Sequence, residues 1–280
     1  MKLRFSIREP MVPGDTLEAK CENVAQLGIG AIELAESCQP EKVSEIRRAL
    51  DATGLGVSML CPTHGMALLD ARRGVRDAAV ATAKAQLSLA AELDAGGVIF
   101  HPTIEIQLGD GQRIPDLSPL HTAEEIEHRL LHEILRKEIA PHAKECGARL
   151  VIESVNRYEQ WWTRTIGEAA EICIAVGSPN IVTMADLFHM HIEETDIAQA
   201  IRKHGSHIAY VHLADSNRQL PGAGFMDYQA VIEALNDIEY KGFCTFALAP
   251  SDQASLAAVR QSMDLLNDLA ASVTKDGGPG

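Results

Sequence analysis

The sequence predicts a single-domain α/β fold, a (β/α)₈ TIM barrel. Three observations carry that reading. Eight short apolar runs alternate with longer amphipathic ones along the whole chain. The length of 280 residues suits one large α/β barrel, and no linker or shift of composition marks a second domain. Apolar residues make up 46 % but aromatics only 4 %, with Ala, Leu and Ile common, a composition suited to helices packed on a parallel sheet.

The predicted strands are LRFSI (3–7), AIEL (31–34), GVSML (56–60), GGVIFH (96–101), ARLVIE (148–153), IVTMAD (181–186), IAYVHL (208–213) and FCTFAL (243–248). About eight helical patterns lie between them, for example TLEAKCENVAQLG (16–28) and RGVRDAAVATAKAQLSLAAELDA (73–95). Gly28, Gly54, Gly147, Gly177 and Gly242 fall where helices should stop. A doubly wound open sheet is the alternative, but no GxGxxG follows the first strand. The barrel is expected over residues 1–273. The stretch 103–119 is a polar insertion after strand four, either a lid or a surface loop, and residues 274–280 form a flexible tail.

The net charge of −14 and the lack of any Lys/Arg run argue against nucleic acid as a partner. No apolar stretch approaches the ~20 residues needed to span a bilayer, and the N-terminus lacks the apolar core of a signal peptide. The six cysteines are scattered with no CxxC, as expected of free thiols in a reducing cytoplasm.

Polar groups at strand ends carry the chemistry. Glu153 ends strand five, Asp186 ends strand six and His212 lies near the end of strand seven, at spacings of 33 and 26 residues. On a barrel, three consecutive strands then aim two carboxylates and an imidazole at one point. One acid at a strand end is commonly a helix N-cap. The ordered series favours a divalent metal, with Mn²⁺ first and Co²⁺ or Mg²⁺ as alternatives, over structural zinc. Glu33 ends strand two, His101 ends strand four and His64 follows strand three. Arg157 and Glu159 follow Glu153; His189 and His191 follow Asp186; Asp215, Asn217 and Arg218 follow His212. Glu159, His189, Arg218, His101 and Glu33 are expected as contacts to a polyol, having the donors and acceptors it needs. Pro221, Gly222 and Gly224 form a turn signal that would hold Arg218 over the barrel mouth. His191, Glu193 and Glu194 read as the start of the next helix. Trp161 and Trp162 fit either a sugar-facing wall or a helix exterior.

ESVNRYEQW (153–161), DLFHMHIEETD (186–196) and HLADSNRQLPGAG (212–224) resemble the motifs of the ketose 3-epimerases of the D-tagatose/D-psicose type, xylose isomerase-like sugar isomerase/epimerase barrels. The resemblance is strong in the second half and extends to the first half only in pattern. It implies a metal held by Glu153, Asp186, His212 and a second Glu from strand eight, with Glu159, His189 and Arg218 on the substrate. It implies inversion at C3 of a free ketose through a cis-enediolate, one ligand Glu removing the proton and the other returning one on the opposite face. Relatives are commonly homodimers or homotetramers.

Strand eight departs from the pattern. The second Glu falls on Ala247, and no acid occurs between Glu239 and Asp252. Alanine neither ligates metal nor moves a proton. Either a deliberate Glu→Ala truncation traps substrate here, which the intact remainder favours, or the chain is a natural divergent member. In both cases it is expected to be a very poor epimerase. Related sugar isomerisation, an enolisation-driven lyase reaction, or sugar binding without turnover are the competing functions.

Overall fold

The computed structural model describes residues 1–249 and 253–273. Eight parallel strands close into one barrel in sequence order, the first pairing with the last: β1 (Arg4–Arg8), β2 (Ala31–Leu34), β3 (Gly56–Leu60), β4 (Val98–Phe100), β5 (Leu150–Ile152), β6 (Ile181–Asp186), β7 (Ile208–Leu213) and β8 (Phe243–Phe246). The fold is a (β/α)₈ TIM barrel. Strands β2 to β7 are almost wholly buried, because barrel side chains cover one face and helices the other.

Strands β4 and β5 are shorter than their apolar runs. At the entry to β4 the backbone of Gly97 (φ 153°) crosses close to β5, and a Cβ there would lie 2.5 Å from the Arg149 carbonyl oxygen. At the other ends His101 and Glu153 leave the ladder to face the barrel mouth.

The helical layer consists of α1 (Leu17–Gln26), α2 (Val43–Thr53), α3 (Arg73–Glu92), a short α4 (Ile104–Gln107), α5 (Ala123–Ile134), α6 (Ala140–Cys146), α7 (Ile166–Val176), α8 (Leu187–Glu193), α9 (Ile197–His204), α10 (Tyr228–Asp237) and α11 (Leu256–Val273). The excess over eight has simple origins. Helix α4 lies in the insertion, and α8 is a short extra helix of seven residues at the mouth. Helices α5 and α6 are one rod interrupted by a π-helical turn at Leu135–Ile139, where Pro141 lacks an N–H and crowds the preceding turn. Gly54, Gly147 and Gly177 close their helices in the left-handed conformation. Gly242 does not. Helix α10 ends at Asp237, the chain turns through Glu239 (φ 53°), and Gly242 instead leaves room for the Tyr240 ring.

Met59, Cys61, Ile99, Val151, Met184 and Tyr210 pack together as a separate cluster. Polar links thread between the strands beside them. The hydroxyls of Ser6 and Ser58 lie 2.6 Å apart, Ser58 Oγ and Tyr210 Oη lie 2.8 Å apart, and Thr245 donates to Tyr210. Tyr210 Oη donates in turn to Glu33 Oε2 at 3.0 Å. All six cysteines are free, and among the described residues no helix is long and apolar enough to cross a membrane.

The insertion after β4 is anchored at several points. Glu105 accepts from the backbone N–H of Gly65 and Met66 at 2.9 and 2.8 Å, and Asp70 accepts from Gln112 N at 2.9 Å. Glu127, fully buried on α5, accepts from both indoles, Trp161 and Trp162, at 2.8 Å each, and from Arg113 Nε at 3.1 Å. The tryptophans therefore tie the β5 loop and the insertion to the helical layer. Residues 274–280, expected as a flexible tail, lie outside the described residues.

Glu127→Ala leaves two indole N–H groups and a guanidinium without their acceptor. We expect a loss of about 3 kcal/mol, read by urea denaturation with the fluorescence of Trp161 and Trp162. A variant as stable as the parent would refute the anchoring role of Glu127.

Candidate metal centre and substrate cavity

Glu153 follows β5, Asp186 closes β6 and His212 is the fifth residue of β7. Asp186 and His212 are register partners across the β6–β7 ladder. One ligand atom from each of Glu153, Asp186 and His212 lies within 4.8 Å of the others, and all three residues are buried. His212 Nδ1 is 3.1 Å from Asp186 Oδ2 and 3.6 Å from Glu153 Oε1. Its other nitrogen, Nε2, lies 2.8 Å from Glu33 Oε2. With Nε2–H given to Glu33, Nδ1 is the nitrogen presented to a cation, as a carboxylate behind a ligating imidazole requires. The donor set therefore fits a divalent ion: two carboxylates and one imidazole converge, and the carboxylate behind them fixes the imidazole.

The electrostatics agree with the geometry. Burial opposes ionisation of Glu153, but the charge and hydrogen bond of His101, then His212, hold its carboxyl well below the usual range. Burial likewise opposes ionisation of Asp186, and His189 and His212 outweigh it. Burial pushes the His212 pKa down, yet Glu33, Asp186 and Glu153 together raise it well above the ordinary value.

These groups face a cavity of about 160 Å³ at the C-terminal mouth, lined by Arg8, Cys61, Ile104, Glu105, His101, Glu159, His189, Arg218 and Ala247 among others. A larger groove of about 830 Å³, lined by Arg113, His121, Glu124 and His128, lies over α5 and away from the metal-ligating groups. His101 Nε2 lies 2.8 Å from Glu153 Oε2. His189 Nδ1 accepts from Asn156 Nδ2 at 2.8 Å and Asn156 N at 3.3 Å, so its proton sits on Nε2, 3.9 Å from Glu153 Oε1. Asn156 Nδ2 also donates to Glu159 Oε1, which accepts from Arg218 Nη1 at 3.1 Å. Asp186 caps α8 by accepting from His189 N at 3.0 Å.

The Arg218 loop hangs on Asp215. Its buried carboxylate accepts from the N–H groups of Ser216, Gly222 and Met226 at 2.7, 2.9 and 3.0 Å. Burial opposes its ionisation, and these N–H groups nonetheless lower its pKa. Gly224 packs directly on that carboxylate, where any Cβ would collide with it. Arg218 itself takes a left-handed conformation (φ 61°), its guanidinium 4.7 Å from the centre of the Phe188 ring.

Several expected positions lie elsewhere. Glu33, expected on the substrate, is fully buried behind His212 and outside the cavity lining, where its Oε2 meets the imidazole. Arg157 pairs with Glu193 on the outside of the mouth, Nε to Oε1 at 2.9 Å. His191 and Glu193 belong to the end of α8, and the next helix begins at Ile197 with Asp196 as its cap. Neither tryptophan lines the cavity. Arg8 and Cys61 also line the cavity, beyond the expected residues; Arg8 is a charged residue at the end of a strand, as Glu153 and Asp186 are, a signal legible in the sequence.

A family profile described as "Xylose isomerase-like TIM barrel" matches residues 21–269. The chain belongs to the xylose isomerase-like TIM barrel family. It is 41 % identical over 106 residues to the D-psicose 3-epimerase of Enterocloster bolteae, a match spanning 38 % of this chain and only about a third (35 %) of that enzyme. Over 236 residues it is 23 % identical to the 3-dehydro-D-guloside 4-epimerase of Escherichia coli, covering 84 % of this chain and 87 % of that one. The crystal structure of the 3-keto-D-glucoside 4-epimerase from E. coli superposes with a TM-score of 0.83 at 20 % identity, over 95 % of this chain and all (100 %) of that one, a likeness of fold.

Two outcomes are expected. Glu33→Gln, which weakens the hold on His212, lowers Mn²⁺ affinity about 10–100-fold, measured by the electron paramagnetic resonance of the free ion. An unchanged affinity would remove Glu33 from the site. Asp215→Ala destabilises the protein by about 2–3 kcal/mol at neutral pH. The folded pKa of Asp215 lies below its unfolded value of ~3.9, so its contribution is present above that pH and lost as pH falls through the folded pKa. The stability gap between parent and variant, followed by urea titration, should shrink on acidification below about pH 4. A gap independent of pH would count against the ionised carboxylate as the anchor.

Proposed function

We propose that this cavity binds a ketose and removes the proton from C3, in the manner of a metal-dependent ketose 3-epimerase. Inversion is crippled by Ala247. The convergence of Glu153, Asp186 and His212 in a cavity at the barrel mouth carries this reading. A divalent cation held by those three residues, Mn²⁺ the first choice and Co²⁺ or Mg²⁺ alternatives, would polarise the ketone and stabilise the charge left by deprotonation. Glu153, kept ionised by His101, is the base. His189 presents Nε2–H to a substrate oxygen, its orientation fixed by Asn156. The Glu159–Arg218 pair at the rim supplies an acceptor and a donor for sugar hydroxyls. Ile104 and Glu105 bring the anchored insertion to the cavity wall. A cytoplasmic homodimer or homotetramer is the working form we propose.

Inversion at C3 needs a second proton-transfer group on the far face. Ala247 lines that part of the cavity and has none. Losing a ligand and an acid/base together costs on the order of 10⁴-fold or more. One-sided chemistry needs only Glu153, and this favours as a second reading a related sugar isomerase or enolisation-driven lyase. Sugar binding without turnover is the limiting case.

With Mn²⁺ in D₂O, proton exchange at C3 should outpace epimerisation, and Glu153→Gln should slow it about 10²–10⁴-fold. Ala247→Glu should raise epimerisation relative to exchange. NMR of the recovered sugar reads both quantities. Exchange at C1 in place of C3 supports isomerisation, and an Ala247→Glu variant with no gain in inversion sinks the two-carboxylate account.

A further inference from the structure

Arg8 has no part in the chemistry above, yet it stands inside the cavity. Strand register explains why. Ile7 pairs with Phe246 across β1 and β8, so the next residues along, Arg8 and Ala247, continue side by side on strands about 4.8 Å apart. On its other side Arg8 is the register partner of Glu33. Both Arg8 and Ala247 line the cavity. The position lacking a carboxylate is therefore next to a guanidinium.

That guanidinium is poorly served. Its side chain is 15 % exposed, and its Nε lies 3.2 Å from Glu33 Oε1 without the alignment of a hydrogen bond. Among the described residues its only hydrogen-bond acceptor is Cys61 Sγ, 3.3 Å from Nη2, a weak one. Glu33 spends its other oxygen on Tyr210 and His212. A guanidinium has five N–H donors in a planar fork that matches a carboxylate in two-point fashion. Here the fork has Cys61 as its one hydrogen-bond acceptor among the described residues, and the Arg8 side chain lines the same cavity as Ala247. Arg8 and a divalent ion would match the charges of Glu33, Glu153 and Asp186, while of the other lining charges Arg218 pairs with Glu159 and Glu105 accepts from the N–H groups of Gly65 and Met66.

We infer that the substrate is a keto-sugar acid whose carboxylate occupies the space beside Ala247 and pairs with Arg8. The inference rests on reading the cavity as a ketose-enolising site. It narrows the substrate class from neutral ketoses to hexulosonates, and it gives Ala247 a function: the side chain is small because the substrate brings the carboxylate. A glutamate at 247 would compete for Arg8 and mimic the substrate's own acid group.

The test is calorimetric binding to the Mn²⁺-loaded protein of L-sorbose, 5-keto-D-gluconate, which is L-sorbose with a carboxylate at C6, and L-sorbose 6-phosphate. The keto acid should bind at least ten-fold more tightly than L-sorbose and more tightly than the phosphate. The ratio of keto acid to L-sorbose should collapse towards unity in Arg8→Gln, survive in part in Arg8→Lys, and fall in Ala247→Glu. Equal affinities for the keto acid and L-sorbose, no binding of either, a preference for the phosphate, or a preference that survives Arg8→Gln would each overturn the assignment. The parent protein alone decides the first three, whatever the variants' stability. Proton exchange in D₂O, measured on the same ligands, separates the two readings. Arg8-dependent selectivity without exchange leaves the carboxylate site standing and removes the enolising reading. Exchange without selectivity does the reverse.

Discussion

The hydrogen bond between His212 and Glu33 governs the site. It joins β7 to β2 across the barrel and fixes which imidazole nitrogen faces the carboxylates of Glu153 and Asp186. Glu33 is in turn the meeting point of the polar core: Tyr210 donates to it from below, with Ser58, Ser6 and Thr245 behind, and Arg8 sits against its second oxygen. A carboxylate with no solvent contact survives only because each oxygen has a partner of positive character. The barrel interior and the metal centre are therefore one network, and the strands cannot shift register without disturbing both.

The fold was legible because a parallel barrel writes a simple pattern. Apolar runs, glycine stops at Gly54, Gly147 and Gly177, and polar residues at the strand ends all report the same alternation. Details set by proximity across the fold were not legible. The π-helical turn before Pro141 reflects a local clash, and the late start of β4 depends on the backbone of a strand some fifty residues away in sequence. Gly242 follows a helical pattern as a stop would, but what requires it is the Tyr240 ring folded back on it and the Ala209 carbonyl of the neighbouring strand.

The site divides in the same way. Residue type and spacing were enough to single out Glu153, Asp186 and His212, because one βα unit separates successive strand ends. Type alone could not rank the surrounding polar groups. Glu33 and His101 both end strands as polar residues, yet His101 enters the cavity while Glu33 stays behind His212. The difference comes from barrel tilt and stagger, which place equivalent strand ends at different heights. Arg157 and Glu159 are two residues apart and point to opposite sides of the same loop, one to Glu193 and one to Arg218.

Asn156 binds His189 through Nδ1 and Glu159 through Oε1, using the same amide nitrogen for both. The two groups are thereby geared to each other. A change that moves His189 to suit a different hydroxyl pattern drags the Glu159–Arg218 rim with it. For the ketose proposed above, adaptation along this wall would then proceed by paired substitutions, and a single change at either residue would carry a penalty at the other.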